Sequence, residues 1–252
     1  MKTILIKTTI LICFCTLFLN CKKEKIQTDD CQNTHVTLSE DIINGDLSVV
    51  ENFYLSNDSL VFSSRSVSAV FFQDKASKTY TISPQTVYVG KVSLNGVQFN
   101  VVNGSSYCTY FDTTGTSFTT PYNWQIQGGN GHLAFNVAEN MGFPIYANAS
   151  NLPDTLTINQ QDTINIGNYS GTSLTILVQS SIGSLGYITK TLEYPSSSII
   201  ILPHEYSDIG MMDGNATIFV LIDKSYYKPI NGKMYKFKTR IAFYKPIYLK
   251  PV

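Results

Sequence analysis

The sequence lacks an excess of charge of either sign. Its 252 residues include 18 Lys or Arg and 18 Asp or Glu, so the formal net charge is zero at pH 7. Proteins that bind nucleic acid instead concentrate Lys and Arg on one face, where these side chains neutralise phosphates. Because the sequence has no extended basic stripe, we expect no nucleic-acid partner.

Metal-binding motifs are also missing. The three histidines, His35, His132 and His204, do not occur in Glu-x-x-His or His-x-His spacing, and there is no Cys-x-x-Cys motif. We therefore interpret the histidines as turn or surface residues and predict neither a metal site nor a cofactor. Asp208 and the sequence Asp213-Gly214-Asn215 faintly resemble a calcium loop, which is the alternative, although their spacing differs from that of an EF-hand.

The sequence contains no recognisable catalytic motif. The segment Gly128–Gly131 is not followed by the Lys-Ser/Thr pair and helix of a phosphate-binding loop, so we interpret it as a hairpin turn. No Gly-x-Ser-x-Gly nucleophile elbow occurs. We predict that the protein is not an enzyme. A hydrolase whose paired carboxylates come from distant loops is the enzymatic alternative.

No apolar run is long enough to span a bilayer, but a shorter one lies near the N-terminus. The run from Ile10 to Leu19 has about ten residues, half of what a transmembrane helix needs. Lys2 and Lys7 precede it, and Cys21 follows it. This order predicts a lipoprotein signal peptide over residues 1–20, with lipid attachment at Cys21. An ordinary cleaved signal peptide is the alternative.

The residues around this cysteine resemble a lipoprotein box. Residues 17–21 read Leu-Phe-Leu-Asn-Cys, in which Phe18 stands where Leu is usual and Asn20 is larger than the customary small residue. The Lys22-Lys23-Glu24-Lys25 segment resembles the residues that follow the lipid cysteine in Bacteroidetes-type lipoproteins. A stably held lipoprotein needs two or more acyl chains, because one chain binds a membrane only marginally.

Two further features extend the resemblance to the body of the chain. These are the tryptophan-containing strand within Tyr122–Gly128 and the hairpin around Ile230–Tyr235. Together with the signal, they make the chain similar to small Bacteroidetes-type cell-envelope lipoproteins of unknown function. The resemblance implies an outer-membrane lipoprotein and no catalytic residue, and it leaves open whether the protein faces the periplasm or the cell surface.

The alternation of side chains predicts an all-β protein. Val87 to Leu94 alternate with period two and reach Asn95-Gly96, a pair that favours a tight hairpin turn. Leu174 to Val178 also alternate, as in a half-buried strand. The run Ala216 to Ile222 is apolar throughout and predicts a central strand that is covered on both faces. Other hairpin turns are expected at Asn44-Gly45, Asn103-Gly104, Asn130-Gly131, Asp213-Gly214 and Asn231-Gly232.

The last strand has the clearest alternation. Tyr235, Phe237, Thr239 and Ile241 face one way, whereas Lys236, Lys238 and Arg240 face the other way. We interpret the basic row as a charged outer face that discourages edge-to-edge pairing; a docking face for an anionic polymer is the alternative. No segment sustains helical periodicity for three turns, although residues 39–52 have the start signal of one short helix.

Composition divides the chain after the signal. Residues 21–44 begin with charged and polar side chains, so we expect a lipid-anchored flexible tether there. Pro, Asn, Ser and Asp residues between 144 and 154 mark a boundary. We therefore predict two tandem antiparallel β domains: an N-terminal β domain over residues 45–147 and a C-terminal immunoglobulin-like β-sandwich over residues 148–252.

Two cysteines remain once the signal peptide is removed and Cys21 is lipidated. These are Cys31 and Cys108. An exported compartment permits a disulfide between them, which would close a long loop and stabilise the fold by about 2–4 kcal/mol. Two unrelated thiols, one on the tether and one within a strand, are the alternative, because a sequence does not place two α-carbons within reach of each other.

Aromatic side chains supply the candidate ligand contacts. Trp124 is the only tryptophan, and an exposed tryptophan stacks on sugar rings, but a lone tryptophan in an alternating strand favours the core of a sandwich. Tyr226 and Tyr227 are candidates for an amphipathic binding surface, although the preference of tyrosine for β-sheet explains them equally well.

These patterns lead to two hypotheses for function. The first is a non-enzymatic cell-envelope lipoprotein that binds a partner or helps to build surface structure, held to the membrane by its N-terminal lipid. The second is a glycan-binding lipoprotein of a polysaccharide-uptake system. An exposed aromatic platform distinguishes the two, because only the glycan hypothesis requires one.

Overall fold

A computed structural model describes residues 43–56, 59–73, 85–102, 106–108, 118–146, 151–180, 187–193, 197–208 and 213–251. The predicted signal peptide, the lipidation site Cys21, and His35 lie outside these residues. The predicted Cys31–Cys108 disulfide also lies outside them, because Cys31 does. Of the predicted tether over residues 21–44, only the last two residues are described, and they belong to the first strand.

The described residues form seventeen strands and one short helix, so the all-β prediction is confirmed. The strands are β1 (Ile43–Ser56), β2 (Ser59–Phe71), β3 (Val92–Leu94), β4 (Val97–Gln98), β5 (Asn100–Val102), β6 (Ser106–Cys108), β7 (Tyr122–Ile126), β8 (Phe135–Glu139), β9 (Ile145–Tyr146), β10 (Thr155–Thr157), β11 (Asp162–Asn165), β12 (Tyr169–Ser170), β13 (Ser173–Ser180), β14 (Tyr187–Glu193), β15 (Ser198–Ile201), β16 (Gly214–Ile230) and β17 (Lys233–Lys250). The helix α1 is Pro203–Asp208.

A long hairpin of β16 and β17 forms the centre of the main sheet. The two strands have 17 and 18 residues, whereas strands of 3–10 residues are usual. Asn231 and Gly232 both have positive φ, as a two-residue hairpin turn requires, so this predicted turn is confirmed. Pairing then runs from Ile230↔Lys233 to Gly214↔Leu249 without a register shift.

Nine strands belong to this sheet, which has the order β14-β13-β16-β17-β1-β2-β6-β5, with β10 also paired to β17. Both β1 and β10 run parallel to β17, along the edge opposite β16. The sheet is therefore mixed. Our prediction that the sheets are antiparallel throughout is wrong. Because β17 has partners on both edges, its basic row does not protect a sheet edge, and this part of the sequence-based interpretation is wrong.

Two further predictions, which concern the segment that forms β1, are wrong. The described part of residues 39–52 lies in β1 and not in a helix. The Asn44-Gly45 pair is not a hairpin turn, since it occupies a register irregularity where β1 meets β17. A Cβ atom at Gly45 would lie 2.9 Å from Cδ1 of Tyr235, so close packing against this ring requires the glycine.

Two shorter hairpins agree with the sequence pattern. Asn95 and Gly96 have positive φ and join β3 to β4, so the predicted turn is confirmed, although the strand before it is shorter than the alternation from Val87 predicts. Gly129 and His132 exchange two backbone hydrogen bonds of 2.8 and 3.0 Å around Asn130-Gly131. The Gly128–Gly131 segment is therefore a hairpin turn.

One face of the main sheet, which we call the inner face, carries two hydrophobic clusters. The first, the sandwich core, lies between this face and a four-stranded sheet of order β4-β3-β7-β8. The main sheet contributes Leu47, Val49, Val67, Ala69, Phe71, Tyr107, Tyr235 and Phe237, and the small sheet contributes Val92, Leu94, Tyr122, Trp124, Ile126 and Phe135.

The second cluster, the helix-side core, covers the other end of the inner face. The alternating residues Leu174, Ile176 and Val178 are buried in it, as the sequence predicts. So are the inward residues of β16 and β17, namely Ala216, Ile218, Val220, Ile222, Ile241, Phe243, Ile247 and Leu249. The β11–β15 pair and α1 cover them, and the hydroxyl of Tyr206 in α1 donates to Oδ2 of Asp162 at 2.6 Å.

The run Ala216 to Ile222 is central, as predicted. It pairs with β13 on one edge and with β17 on the other. Val220 on the inner face is 0 % exposed, and Phe219 and Leu221 on the opposite face are also buried. The apolar side chains on both faces of this strand are therefore buried.

The main sheet and the sandwich core include residues from both halves of the chain. β1 pairs with β17 over ten residue pairs after its irregularity, and Tyr235 and Phe237 lie among side chains from before residue 147. The described residues belong to one compact unit. The boundary between 147 and 148 and the immunoglobulin-like topology stay predictions.

A polar seam separates the two clusters on the inner face. Arg65 of β2 pairs with Glu51, its register partner in β1, and donates to the backbone oxygen of Phe118. Its guanidinium carbon lies 5.1 Å from the ring centroid of Phe143. Both charged side chains are largely buried, at 12 % and 14 % exposure. The pair therefore sits where water does not screen it.

The first stability prediction concerns the central strand. Val220→Asp should lower the free energy of unfolding by about 3–5 kcal/mol, because it places an unpaired charge in the helix-side core. Val101→Asp, at a strand position that is 41 % exposed, is the control and should cost less than about 1 kcal/mol. Urea unfolding of both variants checks this, and equal losses would contradict the assignment of Val220 to the core.

The second prediction concerns the polar seam. Arg65→Met should lower the free energy of unfolding by about 3–5 kcal/mol, because Glu51 then remains as an unpaired buried carboxylate. The double variant Glu51→Gln/Arg65→Met should lose less than Arg65→Met alone, since no charge is left behind. Lys190→Met removes the more exposed ion pair with Glu205 and should cost less than about 1 kcal/mol. An unfolding midpoint of Arg65→Met equal to that of wild type would refute the seam's role.

Candidate functional site: the outer face of the nine-stranded sheet

Trp124 lies in the sandwich core. Its side chain is 2 % exposed, and its ring meets the ring of Phe99 edge-on with 5.7 Å between centroids. This confirms the core interpretation that the strand pattern favours. The proposed ligand contact at Trp124 is not supported, because a ring buried between two sheets has no face to offer to a sugar.

The two neighbouring tyrosines point to opposite faces of β16. Tyr226 is on the inner face, where it stacks on Phe237 with 5.6 Å between ring centroids. Tyr227 is on the opposite face, which we call the outer face, and is 43 % exposed. Nζ of Lys236 lies 5.8 Å from the centroid of the Tyr227 ring. Of the predicted contact residues, only Tyr227 is therefore strongly exposed.

His132 belongs to the predicted hairpin turn, but it is a buried histidine and not a surface one. It is 3 % exposed, with Nε2 3.0 Å from the carbonyl oxygen of Phe72 and Nδ1 3.0 Å from the Tyr235 hydroxyl. A carbonyl oxygen only accepts, so Nε2 carries the hydrogen, and the Tyr235 hydroxyl then donates to Nδ1. The imidazole thus links the turn by hydrogen bonds to Tyr235 in β17 and to Phe72, which directly follows β2. His204 in α1 is exposed.

The described residues contain no group of three or more His, Cys, Asp or Glu that could hold a metal ion. Asp213, from the calcium-loop alternative, is exposed, and the residues directly before it lie outside the description. Within the part of the chain that the structure describes, no helix is long and apolar enough to cross a membrane.

The basic row lies at one end of the outer face, where acidic side chains pair with it. Arg240 donates from Nε and Nη2 to both carboxylate oxygens of Asp223, its register partner, at 2.5 and 2.7 Å. Nζ of Lys238 lies 3.5 Å from Oδ2 of Asp46. Lys236 is the member that lies over Tyr227. Two acids therefore offset two of the three cations, so the row carries little net charge.

The charges of this row act on Asp223. Burial by itself would raise the pKa of Asp223, but the hydrogen bonds from Arg240 and the charges of Arg240, Lys238 and Lys236 outweigh it. The pKa of Asp223 is therefore lower than its ordinary value. The carboxylate and its cationic neighbours stabilise each other in the folded sheet.

A row of apolar and aromatic side chains crosses the middle of the outer face. One residue from each of five neighbouring strands lies in register: Leu177, Phe219, Tyr244, Tyr54 and Val61. The rings of Phe219 and Tyr244 are 6.3 Å apart between centroids. Burial, and secondarily the neighbouring Tyr54, raises the pKa of Tyr244, so its hydroxyl stays protonated and can donate a hydrogen bond.

Exposed tyrosines concentrate on this face. Four tyrosines in the described residues are strongly exposed: Tyr88, Tyr187, Tyr227 and Tyr248, at 43–48 %. Tyr187 faces outward because its partner Gln179 alternates with the buried Leu174, Ile176 and Val178, and Tyr248 faces outward because Ile247 and Leu249 face inward. Three of the four thus share the outer face. Tyr88 does not belong to a strand, and its ring stacks on that of Tyr107 in β6.

The sequence patterns did not single out Tyr187 or Tyr248. A signal for Tyr248 was present, because Ile247, Tyr248, Leu249 and Lys250 continue the alternation of the last strand. No signal shows that Tyr187 and Tyr248 share a face, since that depends on the pairing of four different strands.

No protein-family model matches the chain, and neither a curated protein nor a solved structure matches it.

The third prediction tests the electrostatics of this face. At pH 7, Asp223→Asn should lower the free energy of unfolding by about 1–3 kcal/mol, because charged hydrogen bonds to Arg240 are lost. A lowered pKa means that the contribution of Asp223 is fully present above its unfolded pKa of about 4 and is lost as the pH falls through the folded pKa. The difference between wild type and Asp223→Asn should therefore shrink toward pH 3 in denaturant titrations.

Asp213→Asn is the matched control, because Asp213 is an exposed aspartate directly before the same strand. Its unfolding free energy should follow that of wild type at every pH. A difference for Asp223→Asn that does not change between pH 7 and pH 3 would show that the pKa of Asp223 is not lowered by folding.

Proposed function

We propose that the protein is a lipid-anchored cell-envelope protein of bacterial type, whose body binds a partner or builds surface structure and performs no catalysis. The observation that carries this proposal is the N-terminal order of Lys2 and Lys7, the apolar run from Ile10 to Leu19, and Cys21. An apolar run of that length suits a signal peptide better than a membrane span. In the proposed mature protein, the acyl chains on Cys21 hold the chain on the outer membrane.

The outer face supports a binding role for the body. It combines exposed aromatic rings with hydrogen-bonding and charged side chains on one continuous sheet, and such amphipathic surfaces are enriched where proteins bind partners. The regular β16–β17 pairing holds these side chains at fixed positions. A ligand would therefore meet a face whose geometry is already formed, which lowers the entropic cost of binding.

The fourth prediction tests the anchor. In a bacterium that processes lipoproteins and is fed a clickable fatty-acid analogue, the full-length chain should be labelled and should fractionate with membranes. Cys21→Ser should be unlabelled and either soluble or unprocessed, because the acylated thiol is gone. Cys15→Ser, within the apolar run, is the matched control and should keep the label. Labelling of Cys21→Ser at the wild-type level would refute the anchor.

A second candidate function is glycan binding in a polysaccharide-uptake system. The observation in its favour is that Tyr187, Tyr227 and Tyr248 share one face of one sheet. Trp124, the residue that would have carried this function most directly, is buried and gives no support to it. The aromatic platform that the glycan hypothesis requires would therefore have to be built from tyrosines.

A further inference from the structure

We infer that the part of the outer face between Tyr187 and Tyr248 is a stacking site for a chain of an uncharged polysaccharide. The inference rests on the second candidate function and specifies its site and ligand class. The site, which we call the tyrosine corner, comprises Tyr187, Gln179, Thr217, Tyr244 and Tyr248.

The register of four strands determines the geometry of the tyrosine corner. Tyr187 of β14 pairs with Gln179 of β13, which pairs with Thr217 of β16, which pairs with Pro246 of β17. Tyr248 lies two residues beyond Pro246. Three strand spacings and two residues of rise place the α-carbons of the two tyrosines about 16 Å apart. This distance suits an extended ligand of several rings better than a single small molecule.

Tyr244 lies on the same face, two residues before Pro246. It belongs to the apolar row and is half-buried, and it borders the corner on the side opposite Tyr248, which lies two residues after Pro246. Its hydroxyl, whose pKa burial raises above the ordinary value of about 10, is protonated at neutral pH and able to donate. The two strongly exposed rings, Tyr187 and Tyr248 at 48 % and 47 %, thus lie at the two ends of a path that runs through Gln179, Thr217 and Pro246.

The chemistry of the corner suits a sugar chain. A pyranose presents C–H groups on its faces and hydroxyls around its edge, so it matches aromatic rings that are flanked by uncharged polar side chains. Gln179 and Thr217 supply an amide and a hydroxyl between the two exposed rings. Tyrosine itself offers an apolar ring with a polar end. Sites of this kind combine apolar contact with a few polar groups that orient the ligand.

Charge favours an uncharged polymer over an acidic one. The register path from Tyr187 to Pro246 contains no charged residue. Lys250 follows Tyr248 at the end of the strand, and two of the three cations of the basic row are paired with Asp46 and Asp223. A polyanion needs a field of one sign to offset the loss of its counterions, and this face supplies little of one.

The inference is tested by affinity electrophoresis of the detergent-purified full-length chain. The gels contain dextran, a mannan, a galactomannan or a mixed-linkage β-glucan as uncharged probes, and alginate or polygalacturonate as acidic probes. We expect at least one uncharged polymer to retard the wild-type chain more than either acidic polymer does. Tyr187→Ala/Tyr248→Ala should weaken that retardation roughly tenfold or more, since aromatic anchors dominate such contacts.

Two variants serve as controls. Tyr187→Phe/Tyr248→Phe keeps both rings and should stay within about threefold of wild type, since stacking and not the hydroxyl supplies the main contact. Tyr88→Ala removes an equally exposed tyrosine away from this face and should bind as wild type does. If the double alanine variant does not fold, the single Tyr248→Ala variant carries the test, at a position that is 47 % exposed.

Several results would overturn the inference. They are retardation by none of the uncharged polymers, retardation by the acidic polymers alone, or wild-type retardation of the alanine variants. Light scattering that shows a dimer which the alanine variants dissociate would also overturn it, because a second copy of the chain would then cover the corner. Each of these results leaves the fatty-acid labelling of Cys21 unaffected, so failure of the glycan site is distinguishable from failure of the lipid anchor.

Discussion

The second edge of β17 is the constraint on which the rest of the structure depends. A strand of 18 residues in the middle of a sheet must satisfy its backbone groups on both edges, and β16 satisfies only one of them. On the other edge, β1 pairs over Met234 to Tyr244 and β10 pairs over Tyr248 to Lys250, both in parallel. Parallel pairing with β1 needs a strand from about 190 residues earlier, so the fold brings the two ends of the described chain together. Long-range pairing of this kind also costs loop-closure entropy, which the two cores must offset.

The polar seam follows from that arrangement. Two separate layers cover one inner face, which the same long strands mainly form, and the polar seam lies between the two clusters. Glu51 and Arg65 form this seam, and Phe143 covers the guanidinium. A buried ion pair is a poor source of stability compared with apolar packing, but it disfavours any register in which one partner loses the other. The pair therefore favours the observed alignment of β2 with β1 between the two cores.

The outer face has a different character, because neither hydrophobic cluster includes its side chains. Some of its charged side chains pair with each other, as Asp223 does with Arg240 and Asp46 does with Lys238. Other side chains on this face are exposed and available to bind a ligand. The result is a face with compensated charge at one end, an aromatic row across the middle and exposed tyrosines at the other end. The lipid anchor that we propose at Cys21 and the glycan site that we propose on this face lie in different parts of the chain, so each can be tested without the other.

Local sequence by itself determined the strand character of the chain, because side-chain alternation and Asn-Gly turns act over neighbouring residues. The alternation of Leu174 to Val178, the doubly covered run Ala216 to Ile222 and the Asn231-Gly232 turn were all readable in this way. Tertiary structure decided whatever depends on a distant partner. Asn44-Gly45 became a strand irregularity because Tyr235 packs onto the glycine. His132 became a core residue because its Nε2 donates to the Phe72 carbonyl oxygen and its Nδ1 accepts from the Tyr235 hydroxyl. The common face of Tyr187 and Tyr248 likewise exists only because four strands from different parts of the chain pair in one register, and no local pattern encodes that pairing.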